Sequence, residues 1–135
     1  MNALVLTAAG CFAIDLETAE VEPWDGGVEP PPAPVLNLPR VIDAAAAGPT
    51  IIAVVDAKPP LLVSHDVGTT WRESGRGLPR GNAIAIADDD PDLAVYAARN
   101  RLYVTRDGGV FWTAVPVELA KIEALELRGR ARRGR

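Results

Sequence analysis

The chain consists of short apolar runs separated by turn residues. In its second half the runs are NAIAIA from residue 82, LAVYAA from residue 93 and LYVT from residue 102, and clusters of Asp, Asn, Arg and Gly interrupt them. VIDAAAA, TIIAVV, LLVS and TTWRES follow one another in the same way from residue 41. Apolar runs this short, bounded by turn residues, are typical of strands. The pattern therefore predicts an all-β protein of short antiparallel strands.

The same pattern occurs twice, 41 residues apart. Residues 52–71 align without a gap on residues 93–112, and eight of these twenty positions are identical. A period of about 40 residues that contains four short strands is typical of one blade of a β-propeller. The repeat therefore predicts two complete four-stranded sheets.

Both ends of the chain extend this register. ALVLTA, CFAIDL and AEVEPW, within 3–24, resemble the last three strands of a sheet, and EALEL at 123–127 aligns with a first strand. A competing interpretation is a helix over 117–133, because VELAKIEALELRGRARR contains strong helix formers near helical spacing. Repeat register favours the strand, whereas local propensity favours the helix.

One motif occurs in each repeat. SHDVGTTW at 64–71 and TRDGGVFW at 105–112 share a hydroxyl residue, Asp, Gly and Trp at the same spacing, although Phe111 stands where Thr is usual. Both resemble the Asp-box, or BNR repeat, of sialidase-like and sortilin-like β-propellers in the WD40/YVTN/BNR-like superfamily. A looser turn around Asp15 lacks the Gly. The positions that carry the resemblance are Ser64, Asp66, Gly68, Trp71, Thr105, Asp107, Gly109 and Trp112.

Elementary chemistry predicts a structural role for the motif. A short Asp side chain accepts hydrogen bonds from backbone N–H groups of a tight turn, Gly adopts a positive φ, and Trp buries a large surface. In families that share the box, it lies away from the ligand face. Asp66 and Asp107, in separate blades, would also be too far apart for a glycosidase pair, which needs about 5–9.5 Å. We therefore expect no catalytic residue here.

The resemblance implies an organisation for the whole chain. Propellers use about 4–8 blades, so a chain with about three blades predicts a homodimer that closes a six-bladed ring. In that ring the last strand of each subunit completes the first blade of the other, and EPPPAP at 29–34 forms a stiff extended connection. The predicted parts are a propeller segment at 1–127, with blade parts at 3–24, 40–74 and 81–116 and a returning strand at 121–127, and a basic, disordered tail at 128–135.

Loop charges indicate where a ligand would bind. Asp88, Asp89, Asp90 and Asp92 are predicted at the Asp-box end of the blades, and basic loops, including Arg72, at the opposite end. A basic end on an acidic body attracts anions or carboxylates. The alternative is that these charges are solvated loop residues. The candidate ligand-binding residues are Lys58, Arg99, Asn100, Arg101, Arg76 and Arg80.

Composition limits other chemistry. With one cysteine, Cys11, and one histidine, His65, neither a disulfide framework nor a Cys/His metal cluster is expected, and we predict no metal and no cofactor. The net charge of −4 combines an acidic body with five arginines in the last eight residues. Nucleic acid is expected to contact this tail if it binds at all, but the tail has no aromatic residue for base stacking.

LVLTAAGC faintly resembles a lipidated signal, yet no Lys or Arg precedes it. We therefore expect a cytoplasmic protein without membrane binding.

Two functions follow as hypotheses. The favoured one is a non-enzymatic binding or scaffold module with a protein or anionic ligand. The alternative is a sialidase-like glycoside hydrolase, either degenerate or complete only as an oligomer. LPR at 38–40 does not reproduce the Phe-Arg-Ile-Pro element of sialidases, and Tyr96 and Tyr103 fall within predicted strands. Ser64 and His65 point to opposite faces of a strand, so they do not form a nucleophile and base pair.

Overall fold

The computed structural model describes residues 1–129. These residues form three four-stranded antiparallel sheets and no helix, which confirms the predicted all-β class. Most of the predicted basic tail, residues 130–135, lies outside the described residues. Between residues 1 and 129 there is no helix long and apolar enough to cross a membrane.

Twelve strands make up the described chain. They are β1 (Asn2–Thr7), β2 (Gly10–Asp15), β3 (Val21–Pro23), β4 (Val41–Ala47), β5 (Thr50–Val55), β6 (Leu61–Ser64), β7 (Arg72–Ser74), β8 (Ala83–Ala87), β9 (Asp90–Ala98), β10 (Arg101–Thr105), β11 (Thr113–Ala114) and β12 (Ile122–Arg128). Sheet 1 has the order β12-β1-β2-β3, sheet 2 the order β4-β5-β6-β7 and sheet 3 the order β8-β9-β10-β11. Sheets 2 and 3 are thus sequential meanders, whereas sheet 1 joins strands from both ends of the described chain.

β12 decides between the two interpretations of the last segment. Residues 122–128 form a strand, as repeat register favoured, and the competing helix interpretation of 117–133 is wrong there. The strand pairs with β1 of its own chain, with Leu125 opposite Val5. In this structure of a single chain the strand completes sheet 1, and its exchange with a second subunit stays a prediction. Pairing within a chain avoids the translational and rotational entropy that association costs.

Two apolar clusters hold the sheets side by side. β4 lies next to β8, and β8 next to β12, so these three strands, here called the inner strands, lie side by side. Alternation of Ala with Ile in β8 lets small and large side chains of facing sheets interdigitate. The cluster between sheets 2 and 3 includes Ile52, Val54, Leu61, Ile84, Ile86 and Tyr96. The cluster between sheets 3 and 1 includes Val5, Ile14, Val95, Leu102, Ile122 and Leu125.

Hydrogen bonds between inner strands supplement this packing. The carboxylate of Asp43 in β4 accepts the backbone N–H of Ile84 in β8 at 3.0 Å. The side-chain amide of Asn82 donates to the carbonyl of Ile122 at 2.8 Å, which links sheet 3 to sheet 1. Each inner strand is therefore tied to the next by a polar side chain.

The segment of residues 24–40, here called the strap, runs from sheet 1 to sheet 2. The Trp24 ring lies 5.5 Å from the guanidinium carbon of Arg128, and the backbone N–H of Glu29 donates to Glu126 at 2.9 Å. Four prolines of the strap then line a cavity of about 220 Å³ together with residues of β4, β8 and β12. The predicted stiff connection thus crosses the inner strands.

The far end of the strap covers sheet 2. Leu36 and Leu38 pack against Ala44, Ala53 and Val55, which lie on the face of sheet 2 that is turned away from sheet 3. Those three residues are 5%, 0% and 4% exposed. The chain therefore buries this apolar face with its own strap.

Candidate binding surfaces and aspartate-centred turns

The first motif forms the turn between β6 and β7 around the Asp66 carboxylate. Thr70 donates to it from its hydroxyl at 2.6 Å and from its backbone N–H at 2.9 Å. The Ser64 hydroxyl donates to it at 2.7 Å and accepts the N–H of Gly68, whose φ is 85°, at 2.8 Å. These bonds, with that of the Thr70 hydroxyl the strongest, lower the pKa of Asp66 to about 2. The carboxylate is therefore ionised and used by its own turn.

The second motif forms the turn between β10 and β11 with a different set of donors. Asp107 accepts the backbone N–H groups of Phe111 at 3.0 Å and Val110 at 3.1 Å, and the Thr105 hydroxyl at 2.7 Å. The bond from the Phe111 N–H is the main cause that lowers the pKa of Asp107. Phe111 brings no hydroxyl, and its side chain is 73% exposed.

A third turn, between β2 and β3, has the same centre without the full motif. The Asp15 carboxylate accepts the backbone N–H of Glu17 at 2.8 Å and that of Thr18 at 3.1 Å. Ala13 stands where the other turns have a hydroxyl residue. An aspartate whose carboxylate accepts turn N–H groups is therefore common to all three sheets.

The motif tryptophans contact different neighbours. The Trp112 indole N–H donates to the Ser74 hydroxyl oxygen at 2.9 Å, and its ring lies edge-on to Tyr96 at 6.2 Å. The Ser74 hydroxyl in turn donates to the carbonyl of Gly109. Trp112 therefore joins sheet 3 to sheet 2, whereas Trp71 packs in the cluster that contains the strap residue Leu38.

The aspartate turns lie at one end of the sheets. Val67 N–H bonds to the carbonyl of Pro49, in the β4–β5 turn, and Gly108 N–H bonds to the carbonyl of Asp92, near the β8–β9 turn. Asp88, Asp89 and Asp90 belong to this end. Arg72 also begins β7 here, beside the turn, so its expected place in a loop at the opposite end is wrong.

Two of the predicted binding residues line one pocket at the opposite end. Lys58, in the β5–β6 loop, and Arg76, after β7, line a pocket of about 340 Å³ with Pro59, Gly77 and Leu78. Arg80 forms an ion pair with Asp56 at 3.1 Å, so its positive charge is partly neutralised within the protein. The corresponding turn of sheet 3 carries the remaining predicted residues, which do not line this pocket: Arg99, Asn100 and Arg101.

A groove beside β7 was missed by the sequence analysis. This β7 groove, about 280 Å³, lies between residues 72–76 on one side and the turn residues 108–110 on the other, with Val63 and His65 completing its lining. His65 Nδ1 is 3.0 Å from the Thr50 hydroxyl. One signal in the sequence could have indicated this groove. The charged segment RESGR at 72–76 aligns with the uncharged segment TAVPV at 113–117, so the two repeats differ at the residues that line it.

The equivalent β11 groove, about 410 Å³, lies between sheet 3 and the Asp15 turn of sheet 1. Arg106 stands at the position of His65 and donates to the Leu16 carbonyl at 3.3 Å and to Glu17 at 3.4 Å. Val115, at the position of Ser74, is buried. This groove is therefore mainly apolar, and its arginine is already bound to the next sheet.

Two further titratable side chains, Tyr96 and Asp43, are engaged in the fold. Tyr96 is fully buried and donates to the Pro79 carbonyl at 2.8 Å, and burial raises the pKa of its hydroxyl. Burial also raises the pKa of Asp43. In residues 1–129, no group of three or more His, Cys, Asp or Glu side chains is arranged to hold a metal ion.

No protein-family model, no curated protein and no solved structure matches this chain. A function must therefore be inferred from its own geometry. That geometry comprises braced turns at one end of the sheets, a basic pocket at the other end and a charged groove beside β7.

Proposed function

We propose that the chain is a segment of an Asp-box β-propeller that acts as a non-enzymatic binding or scaffold module for an anionic ligand. The observation that carries this proposal is the pocket at the end opposite the aspartate turns, where Lys58 and Arg76 meet. Arg76 is 87% exposed, and its nearest carboxylate, that of Glu73, is 4.0 Å away. Cations that are weakly engaged within the protein attract carboxylate or phosphate ligands.

The aspartate turns support a binding role over catalysis. Asp66 and Asp107 each accept several hydrogen bonds from their own turns, so these carboxylates already have partners. A sialidase-like reaction would use a tyrosine nucleophile, and the hydroxyl of Tyr96 is bound to the Pro79 carbonyl in the core. These contacts favour structural use of the residues that would otherwise suggest chemistry.

The test is a titration of ¹⁵N-labelled protein with citrate and, separately, with inorganic phosphate. We expect amide shifts around residues 57–59 and 76–78. We also expect Lys58→Ala and Arg76→Ala each to weaken binding by about two- to fivefold, as is typical of exposed charge pairs. Binding should weaken further as salt screens the charges.

Arg106→Gln is the matched control, because it removes one positive charge at the aspartate-turn end. If it weakens binding as much as Lys58→Ala, the anions respond to net charge and the pocket assignment is wrong. Hydrolysis of a fluorogenic sialoside by the purified protein would contradict the non-enzymatic proposal and favour the glycosidase.

Association of two chains into a six-bladed ring is a separate prediction. The strap packs on the sheet 2 face that a second copy would bury, so a ring requires Leu36 and Leu38 to leave Ala44 and Val55. Strap variants Leu36→Asp and Leu38→Asp should then favour the dimer. Light scattering that gives a monomer mass for both the parent protein and these variants would overturn the ring.

A further inference from the structure

We propose that the free edge of β7 binds an acidic, extended peptide segment of a partner protein. This inference rests on the proposed binding function and extends it from the Lys58–Arg76 pocket along the β7 groove. Arg76 belongs to the lining of both the pocket and the groove, so the two surfaces are continuous.

The backbone of β7 is available on one side. Residues 72–74 pair with β6, and no backbone hydrogen bond in the described chain joins their other edge to a further element. Five consecutive residues, 72–76, line the groove. Three of them, 72–74, belong to β7, and the unpaired edge of a strand can accept another strand because it offers backbone N–H and C=O groups at strand spacing.

Two side chains at this edge are suited to carboxylates, whereas the Glu73 carboxylate, which also lines the groove, lies 4.0 Å from Arg76. Arg72 and Ser74 share a face of β7, since they are two residues apart, and Ser74 points to sheet 3. Arg72 is exposed and forms no ion pair with any other described residue. Together with Arg76 it supplies two guanidinium groups, which bind carboxylates through charge-assisted, often bidentate, hydrogen bonds.

The other outer edges provide internal comparisons. β11 has two residues, and Thr113 stands at the position of Arg72. β3 is flanked by acidic side chains, since Glu20 and Glu22 line a pocket with Asp15. The same architecture is therefore built without arginines at these edges. The two arginines at β7 are not required by the fold, which supports recognition of an acidic partner there.

The test is fluorescence anisotropy with a fluorescein-labelled, N-acetylated EVEVEV peptide and the complete chain. EPEPEP has the same charges but lacks every second backbone N–H, so it should bind at least fivefold more weakly if the peptide adds as a strand. KVKVKV should not bind. Arg72→Glu should weaken EVEVEV binding at least tenfold, whereas Arg106→Glu, in the β11 groove, should change it less than twofold.

The outcomes separate this inference from the proposed function. If EVEVEV and EPEPEP bind equally and Arg72→Glu has no effect, while Lys58→Ala still weakens citrate binding, the strand edge is wrong and the basic pocket stands. If citrate does not bind but EVEVEV binding depends on Arg72, the pocket is wrong and the edge stands. Loss of binding by Arg72→Glu counts only if the amide spectrum of the variant is that of a folded protein. Arg72→Gln, expected to weaken binding about threefold, serves as the milder variant.

Discussion

The two Asp-centred turns of sheets 2 and 3 have the same motif, but their tryptophans pack against different parts of the molecule. In sheet 3, Trp112 packs toward sheet 2 and is tied to it through Ser74. In sheet 2, Trp71 faces the strap, because sheet 2 packs against one sheet only, and Leu36 and Leu38 occupy its other face. The motif thus points a tryptophan at whatever packs beside its sheet. For Trp112 this is sheet 2, and for Trp71 it is the strap.

The largest expected difference is between the two tryptophans. Trp112→Ala should lower the free energy of unfolding by about 3–4 kcal/mol, because it opens a space between two sheets and leaves Ser74 without its donor. Trp71→Ala should cost about 1–2 kcal/mol, since the strap is a single segment that can move into the space. Urea denaturation measures the free energy of unfolding of both variants. Equal losses of stability would contradict the different packing of the two tryptophans.

A double-mutant cycle tests which neighbour each tryptophan contacts. Leu38→Ala should couple to Trp71→Ala by about 0.5–1 kcal/mol and should be additive with Trp112→Ala, because contacting residues couple and separated ones do not. Coupling of Leu38 with Trp112 alone would show that the strap packs elsewhere in solution.

The aspartates predict how stability depends on pH. The pKa of Asp66 is about 2 in the folded protein, below the ordinary value of 3.8, and the pKa of Asp107 is also lowered. Both groups therefore stabilise the fold fully above pH about 4; the contribution of Asp66 is lost as the pH falls through about 2, and that of Asp107 as the pH falls through its own lowered pKa. Unfolding by urea at a series of pH values measures this. Asp66→Asn should flatten the profile more than Asp107→Asn, and an equal or opposite order would contradict the assignment.

The smallest effect concerns the residue four positions after each motif aspartate, which is Thr70 in one turn and Phe111 in the other. Thr70→Val removes the hydroxyl donor that contributes most to the lowered pKa of Asp66, so this pKa should rise toward its ordinary value and stability above pH about 4 should fall slightly. Phe111→Thr should lower the pKa of Asp107 by supplying the missing hydroxyl. Carboxyl ¹³C shifts followed through a pH titration report both, with Phe111→Val as the control that removes the ring without adding a donor.

Features that depend on neighbours in sequence could be predicted. The strands of sheets 2 and 3 follow from apolar runs, and the residues of both turns follow from the short reach of Asp and the positive φ of Gly. Repeat register predicted a returning strand at 121–127 against its helical propensity, and the structure has a strand at 122–128. That strand forms because Leu125 is buried and its backbone pairs with β1, and tertiary packing outweighs propensities of less than about 1 kcal/mol per residue.

The features that were missed depend on residues far apart in the chain. The β7 groove needs the turn at 108–110 to lie beside residues 72–76, and Arg72 was assigned to the wrong end because the first residue of β7 was read as part of a loop. Two of the six candidate ligand-binding residues line the basic pocket. Lys58 and Arg76 do meet, whereas Arg99, Asn100 and Arg101 occupy the equivalent turn of another sheet.

By itself the sequence determined the strands, the period and the braced turns, because alternation and short-range hydrogen bonds act within a few residues. Only the tertiary structure decided that β12 completes sheet 1 of its own chain, that the strap covers sheet 2 and that one outer edge combines a free strand with two arginines. These outcomes depend on competition among distant partners for the same apolar faces and strand edges. The free energies that decide such a competition come from the packed geometry and from the entropy of bringing the partners together.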